Sequence, residues 1–259
     1  MVNSQPDTGT TDMVASDALT GRTALVTGGS GGIGRAIALA LGAQGLAVAV
    51  GYHATPDAAL RVASSITATG GHAIAVSADL RDADAPDALV SAVEEQLGPV
   101  DVLVSNAGLG HRQTFEEIRT DDFDEMIAVN LRAPFFLAQR VVPGMRERRF
   151  GRILFISSVA AFTGGIVGSH YASSKAGLHG LTHSLASQLA PFGVTVNALA
   201  PALIVETGML PGDPEQLREQ IPVRRLGHPE EVAELALAIL RNAYLTNQVL
   251  SLDGGMYPR

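Results

Sequence analysis

Short apolar runs alternate along the chain with longer stretches whose apolar residues recur every three or four positions. The runs are Thr23–Val26, Leu46–Val50, Ala73–Val76, Val100–Val104, Arg152–Ile156, Val194–Ala198 and Gln248–Leu252. They are rich in Val, Ile and Leu and show little polar alternation, which is the pattern of strands buried on both faces. Helix candidates lie between them at 33–44, 57–69, 86–97, about 121–148, about 171–190 and 229–241. Pro86 and Pro229 suit a first helical turn, where the missing N–H costs nothing. Repeated strand–helix–strand units with right-handed crossovers predict an α/β fold, a doubly wound parallel sheet of about seven strands with helices on both faces.

No internal repeat and no linker follow residue 21, so 21–259 reads as one domain. Residues 1–20 read as a disordered polar tail. The segment 203–228 is the least regular, and Pro211, Gly212 and Pro214 mark it as a mobile flap over a substrate.

Composition narrows the classes. Hydrophobic residues make up 46% and charged residues 17%, enough for a core and against a disordered chain. A net charge of -8 is a poor match to nucleic acid, which needs a basic footprint. Without cysteine there is no disulfide, no thiolate zinc site and no cysteine nucleophile. The N-terminus lacks the basic-then-apolar pattern of a signal peptide, and no apolar run reaches the ~20 residues of a membrane span. The expected location is the cytoplasm.

The first run leads through Thr27-Gly-Gly-Ser-Gly-Gly-Ile-Gly34 into a helix. This context gives a Rossmann-type dinucleotide fingerprint weight: glycines let the backbone approach a pyrophosphate, and the helix N-terminus offers free N–H groups. Two registers fit. Gly29, Gly31 and Gly34 match G-x-G-x-x-G, whereas Gly28, Gly32 and Gly34 match G-x-x-x-G-x-G. An acidic residue after the second strand would bind the ribose 2′-OH of NAD. Here that strand ends Val50-Gly-Tyr-His-Ala-Thr55, with no carboxylate before Asp57. A 2′-phosphate would meet no repulsion there, and His53 and Thr55 could donate to it, so NADP(H) is favoured over NAD(H). Arg35 is the nearest candidate cation. His53 could equally be an ordinary exposed loop histidine.

Ligands of open parallel sheets bind beyond the carboxyl ends of the strands. Those ends carry Asp79-Leu80, Ser105-Asn106-Ala107-Gly108, Ser157-Ser158 and Pro201-Ala202. Any one could be a capping or turn residue; four on one edge point to a site.

With these motifs in place, the chain from residue 21 to its end resembles the short-chain dehydrogenase/reductase family, in its compact single-domain form. The matching elements are TGGSGGIG, Asp79, the SNAG run at 105–108, Asn130, Ser158 and YASSK at 171–175. The resemblance implies a catalytic tetrad of Asn130, Ser158, Tyr171 and Lys175. It implies cofactor contacts from Thr27, Gly28, Ser30, Gly32, Ile33 and Gly34. Further contacts would come from His53, from Asp79 and Leu80 at the adenine, and from Asn106, Ala107 and Gly108 beside the ribose. Tyr171, Lys175, Pro201, Ala202 and Thr207 complete the implied set. It also implies a homotetramer built partly from the helices at 121–148 and 171–190.

Residues i and i+4 share a helix face, so Tyr171 and Lys175 can point into one cleft. A nearby ammonium favours the phenolate and would lower the tyrosine from its ordinary pKa near 10. Such a tyrosine can act as general acid and base towards a carbonyl oxygen, with hydride coming from the cofactor. Ser158 would hold the substrate oxygen, and Lys175 would also bond the nicotinamide ribose. Asn130, in a helix interior, would distort the helix around a water that passes protons from Lys175 to solvent; a buried Asn bonded to a backbone carbonyl is the plainer alternative. Ser157, Ser173 and Ser174 read as structural, and His170, His179 and His183 as surface or interface residues, with His170 a possible wall of the cleft. No G-x-S-x-G elbow and no H-E-x-x-H spacing is present.

Departures from the family pattern concern the substrate side. Ala202 replaces the usual glycine after Pro201, and Glu206 stands where a threonine is usual, with Thr207 one residue on. Within the family the chain resembles the 3-oxoacyl-[acyl-carrier-protein] reductases of fatty acid biosynthesis, in its Arg146, Arg148, Arg149 and Arg152 cluster and its LDGGMYPR ending. Arg149 would dock an acyl carrier protein, but the second basic docking position is Phe192. The cluster could equally complement a helix C-terminus. The expected function is an NADP(H)-dependent reductase of a ketone, with a 3-oxoacyl thioester as candidate. A free or coenzyme A-linked ketone and a non-catalytic dinucleotide sensor are the alternatives.

Overall fold

The apolar runs become strands, all parallel and all in one sheet. The structure, a computed structural model, describes residues 19–208, 210 and 213–257. The strands are β1 (Thr23–Val26), β2 (Ala47–Tyr52), β3 (His72–Ser77), β4 (Val100–Ser105), β5 (Gly151–Ile156), β6 (Val194–Pro201) and β7 (Val249–Leu252). Their order is β3-β2-β1-β4-β5-β6-β7. The helices are α1 (Gly32–Ala43), α2 (Pro56–Ala68), α3 (Ala85–Leu97), α4 (Thr120–Ile127), α5 (Ala133–Glu147), α6 (Ala160–Thr163), α7 (Ser169–Leu189), α8 (Pro214–Glu219) and α9 (Pro229–Arg241).

Both faces of the sheet are covered, which is why the strands read as unbroken apolar runs. Ala24 and Val26 of β1 pack with α1, α2 and α9. Leu25 between them packs on the other face with α3, α5 and α7. Phe155 and Ile153 follow Leu25, while Leu154 and Ile156 join the first face. Burying each such side chain contributes ~1.5–3 kcal/mol relative to exposure. The chain winds outward through β2 and β3, then returns to place β4 on the other side of β1. The crevice at that switch lies at the carboxyl ends of β1 and β4, where doubly wound sheets bind ligands.

Two expectations need correction. Leu19 is buried in the core, and Thr20 Oγ1 donates to the Gln44 carbonyl at 3.1 Å, so the expected tail does not extend to residue 20. Residues 1–18 lie outside the described residues. The helix expected at 121–148 is interrupted by a π-helical stretch at Ala128–Arg132, between α4 and α5. The segment 203–228 contains α8 and a small apolar cluster of its own, Leu217, Ile221 and Leu226 with Leu203, Val205, Leu210 and Met256. Its backbone has positive φ at Leu203 (49°), Glu206 (59°) and Arg224 (58°), a conformation uncommon for side-chain-bearing residues.

Candidate active site

The glycine loop shows which register matters. Gly28 and Gly32 adopt φ of +62° and +48°, which other residues reach at a cost. A Cβ on Gly34 would lie 2.1 Å from the Gly28 carbonyl oxygen, and one on Gly28 would lie 2.9 Å from Cα of Ala107. A Cβ on Gly31 would meet nothing within 4 Å. The working register is therefore Gly28, Gly32 and Gly34. The loop delivers the N-terminus of the 12-residue helix α1 to the crevice, a cradle suited to a pyrophosphate.

Thr27 braces this loop from behind. Its buried hydroxyl accepts the backbone N–H groups of Asn106 (3.0 Å) and Ala107 (3.1 Å). The Asn106 amide donates to the carbonyls of Thr27 and Gly28. Its side chain joins β1 to β4 and is not among the cavity walls.

A cavity of about 470 Å³ opens along the strand ends. Gly28, Gly32, Ile33, Asn106, Ala107 and Gly108 line one part, and Ser158, Tyr171, Lys175, Pro201, Ala202 and Thr207 line the next. The 203–208 segment folds over the loop: a Cβ on Gly32 would lie 3.1 Å from the Glu206 carbonyl oxygen and 3.4 Å from Cα of Thr207. Thr207 lies over the helix N-terminus, its hydroxyl donating to Ile204 O at 3.0 Å. Beyond Ser158 and Tyr171 the walls turn apolar, with Ile166, Val167, Leu203, Leu210, Leu217 and Met256.

The remaining expected contacts form an outer rim that is not part of this cavity. Ser30 accepts from Thr55 at 2.8 Å, joining the glycine loop to the end of β2. Leu80 turns its side chain into the core. Asp79 accepts from Arg81 through both oxygens, at 2.8 Å from Nε and 2.6 Å from Nη2, and this ion pair holds its carboxyl down at about 2. Arg81 also lies 3.3 Å from His53 Nε2. Because guanidinium only donates, His53 Nε2 accepts and its proton sits on Nδ1. Arg81 is the cation that sequence reasoning missed at this end. Arg35 is instead paired with Glu206 (3.6 Å) and Glu230 (3.5 Å), facing the flap and α9.

Helix α7 and the end of β5 carry the reactive groups. Tyr171 and Lys175 are 7% and 4% exposed. Lys175, the only lysine in the sequence, donates from Nζ to Ile156 O at 2.9 Å. Burial lowers its pKa to about 8. Burial pushes the Tyr171 phenol up, while its hydrogen bond with Ser158 pulls the other way. The expected lowering of Tyr171 by Lys175 is not the governing effect, because the ammonium is turned to Ile156 and stands 5.9 Å from the ring centroid. At neutral pH the pair is a phenol beside an ammonium.

Asn130 lies in the π-helical stretch and is fully buried. Its Oδ1 accepts from Leu109 N at 2.8 Å, and its Nδ2 donates to Leu109 O and to Ser174 Oγ, each at 3.0 Å. A Cβ on Gly108 would lie 3.2 Å from Lys175 Nζ and 3.3 Å from Asn130 Oδ1, so only a glycine separates the two. The helix is distorted at Asn130, as expected, and the amide also satisfies a backbone carbonyl.

Of the three histidines expected at a surface or interface, His170 is buried but is not among the cavity walls, and His179 is half-buried. His170 is 2% exposed, and burial lowers its pKa. His179 Nε2 lies 2.8 Å from Ser157 Oγ, and its ring stacks on Phe162 with centroids 4.5 Å apart. His183 remains at the surface, bonded to Asn247 Oδ1 at 2.6 Å. The arginine cluster lies at the end of α5 and the start of β5, the sheet edge opposite the cavity. There Arg146 stacks on Phe192, Arg149 Nη2 donates to Pro191 O at 2.9 Å, Arg148 pairs with Asp101, and Arg152 is buried.

A family model described as short chain dehydrogenase matches residues 22–217. The chain belongs to the short-chain dehydrogenase/reductase family. It is an oxidoreductase on a fold that binds NAD(P), which sets aside the non-catalytic sensor. It is 40% identical to a 3-oxoacyl-[acyl-carrier-protein] reductase of Synechocystis over 242 residues, 92% of this chain and 98% of that protein. It is 38% identical to an acetoacetyl-CoA reductase of Allochromatium vinosum, over 91% of this chain and 98% of that one. A short chain dehydrogenase of Burkholderia cenocepacia solved with NADP superposes with a TM-score of 0.85 at 35% identity, over 92% and 98% of the two chains.

Proposed function

We propose that this enzyme transfers hydride between NADP(H) and a ketone or secondary alcohol, with a 3-oxoacyl thioester as the ketone. The observation that carries the reading is the convergence of Ser158, Tyr171 and Lys175 on one wall of a cavity that begins at the glycine cradle and ends in apolar side chains. A bound nicotinamide cofactor supplies the hydride. Tyr171 gives its proton to the ketone oxygen in reduction and takes it back in oxidation, and its burial keeps the phenol loaded. The Lys175 ammonium, charged below about 8, opposes the charge left on the phenolate. Ser158 holds the substrate oxygen. Asn130 keeps the Gly108–Leu109 turn beside Lys175.

The preference for NADP(H) is supported by His53 and Arg81 at the ends of β2 and β3, with the Asp79 charge already neutralised by Arg81. The acyl thioester is supported by the apolar walls and by the activities named for the relatives. The reading includes a cytoplasmic homotetramer, supported by Phe123, Phe135 and Phe136, which leave 42–44% of their surfaces exposed on α4 and α5. Among the described residues no helix is long and apolar enough to cross a membrane.

The test compares acetoacetyl-CoA, the same acyl group on a carrier protein, and free acetoacetate, followed by nicotinamide absorbance with NADPH and NADH. Thioester turnover with NADPH supports the reading. Turnover of the free ketone alone, or a preference for NADH, overturns the corresponding part.

A further inference from the structure

Three consecutive residues at the end of β5 each hold a different part of α7. Ile156 O accepts from Lys175 Nζ at 2.9 Å. Ser157 Oγ donates to the Lys175 backbone carbonyl at 3.1 Å. Ser158 bonds the Tyr171 hydroxyl. Tyr171, Lys175 and His179 recur at intervals of four, so they share one face of α7. His179 contacts Ser157 at 2.8 Å, one turn beyond the lysine.

The direction of these bonds follows from their chemistry. A carbonyl only accepts, so the single hydroxyl proton of Ser157 points to Lys175 O. The ring then supplies the proton at Nε2 and donates to Ser157 Oγ. Ser157 is therefore a relay of two hydrogen bonds and not a nucleophile activated by a base. The far side of the ring rests on Phe162 of α6, a helix whose Ala160 and Thr163 line the cavity.

We propose that His179 is a positioning residue, which acts through Ser157 to lock the Lys175 backbone against the strand end that carries Ser158. It is not among the residues that line the cavity. The lock keeps the ammonium seated on Ile156 O and out of water, in step with Tyr171 and Ser158. The proposal rests on the reading of Lys175 as a working group of the site.

Because Lys175 is the only lysine, protein labelled with ¹³Cε-lysine gives one side-chain resonance whose pH titration reports this amine without any substrate. In the wild type the midpoint should fall near the burial-depressed value of about 8. His179→Phe keeps a ring against Phe162 but removes the donor to Ser157. Its midpoint should rise by about one unit or more towards the ordinary lysine value, and kcat should fall about tenfold. His179→Gln, which places an amide N–H near the Nε2 position, should restore both. A folded His179→Phe with the wild-type midpoint overturns the proposal, as does failure of Gln to restore it. Ser157→Ala breaks the same relay and should reproduce the shift; should His179→Phe fail to fold, an unshifted Ser157→Ala overturns the proposal. A shifted titration in a protein whose Tyr171→Phe variant keeps full turnover would uphold the lock and refute the catalytic reading.

Discussion

Lys175 Nζ is bonded to the carbonyl oxygen of Ile156 at 2.9 Å, and only 4% of the lysine is exposed. An ammonium held this way is charged at a cost. Its pKa falls from 10.5 to about 8, so folding releases a proton between those values. The folded-state pKa lies below the unfolded one, so the unfolded chain binds more protons in that window and stability rises as pH climbs from 8 to 10.5. Below pH 8 the cost is complete, roughly 3 kcal/mol. The stability of Lys175→Met relative to the wild type, measured by urea unfolding, should be greatest below pH 8. The advantage should shrink through pH 10.5, and a pH-independent difference would count against a depressed lysine.

The glycine register makes opposite predictions for neighbouring positions. Gly34→Ala forces a methyl to within 2.1 Å of the Gly28 carbonyl oxygen, so the loop must open. Its NADPH binding should be lost in a fluorescence titration. Gly31→Ala meets open space at a φ of -155°, and should bind within about threefold of the wild type, a change under 1 kcal/mol.

Arg81 is the cation beside the proposed adenosine end, where it pairs with Asp79 and Glu125 and contacts His53. Removing it leaves Asp79 unneutralised, with only His53 Nδ1 at 4.0 Å beside it. A hydrogen bond to a charged group is worth ~1.5–3 kcal/mol. Arg81→Ala should therefore weaken NADPH by about tenfold or more while changing NADH far less, as read by paired titrations. Equal losses for the two cofactors would remove Arg81 from phosphate recognition.

Arg152 is a buried cation that donates to three backbone carbonyls, those of Leu240, Gly151 and Gly193. Its guanidinium lies 4.5 Å from the centroid of the Phe150 ring. Burial lowers its pKa. Arg152→Met fills the space but strands those acceptors, at ~1–3 kcal/mol for an unsatisfied buried group. The variant should melt lower by about 5–10 °C in calorimetry, with its cofactor affinity unchanged because the residue sits at the opposite edge of the sheet.

How much of this was legible depends on how local the physics is. Strands buried on both faces reveal themselves as unbroken apolar runs, so the order of elements and the site edge could be read directly. The glycine register could not, because Gly28, Gly29, Gly31, Gly32 and Gly34 look alike until φ and close contacts separate them. The break at Ala128–Arg132 keeps a helix-like apolar pattern, and only Asn130 hinted at it.

What was missed arises across the fold. Arg81 follows Asp79 in an ordinary turn sequence, and its place in the site comes from His53 just past the neighbouring strand β2. His179 sits on a helix where apolar and polar residues are both buried, so periodicity did not reveal which way it faced. The signal was present in its spacing of four from Lys175. Thr207 stands one residue past the position usual in the family, and only the fold places it over Gly32.

The central claim is that Tyr171 supplies the proton. The direct measurement is single-turnover reduction of acetoacetyl-CoA by NADPH in Tyr171→Phe, with NADPH affinity measured on the same protein. The account predicts a rate lower by ~10²–10⁴-fold with the NADPH Kd unchanged. A variant that reduces the thioester at the wild-type rate would contradict it.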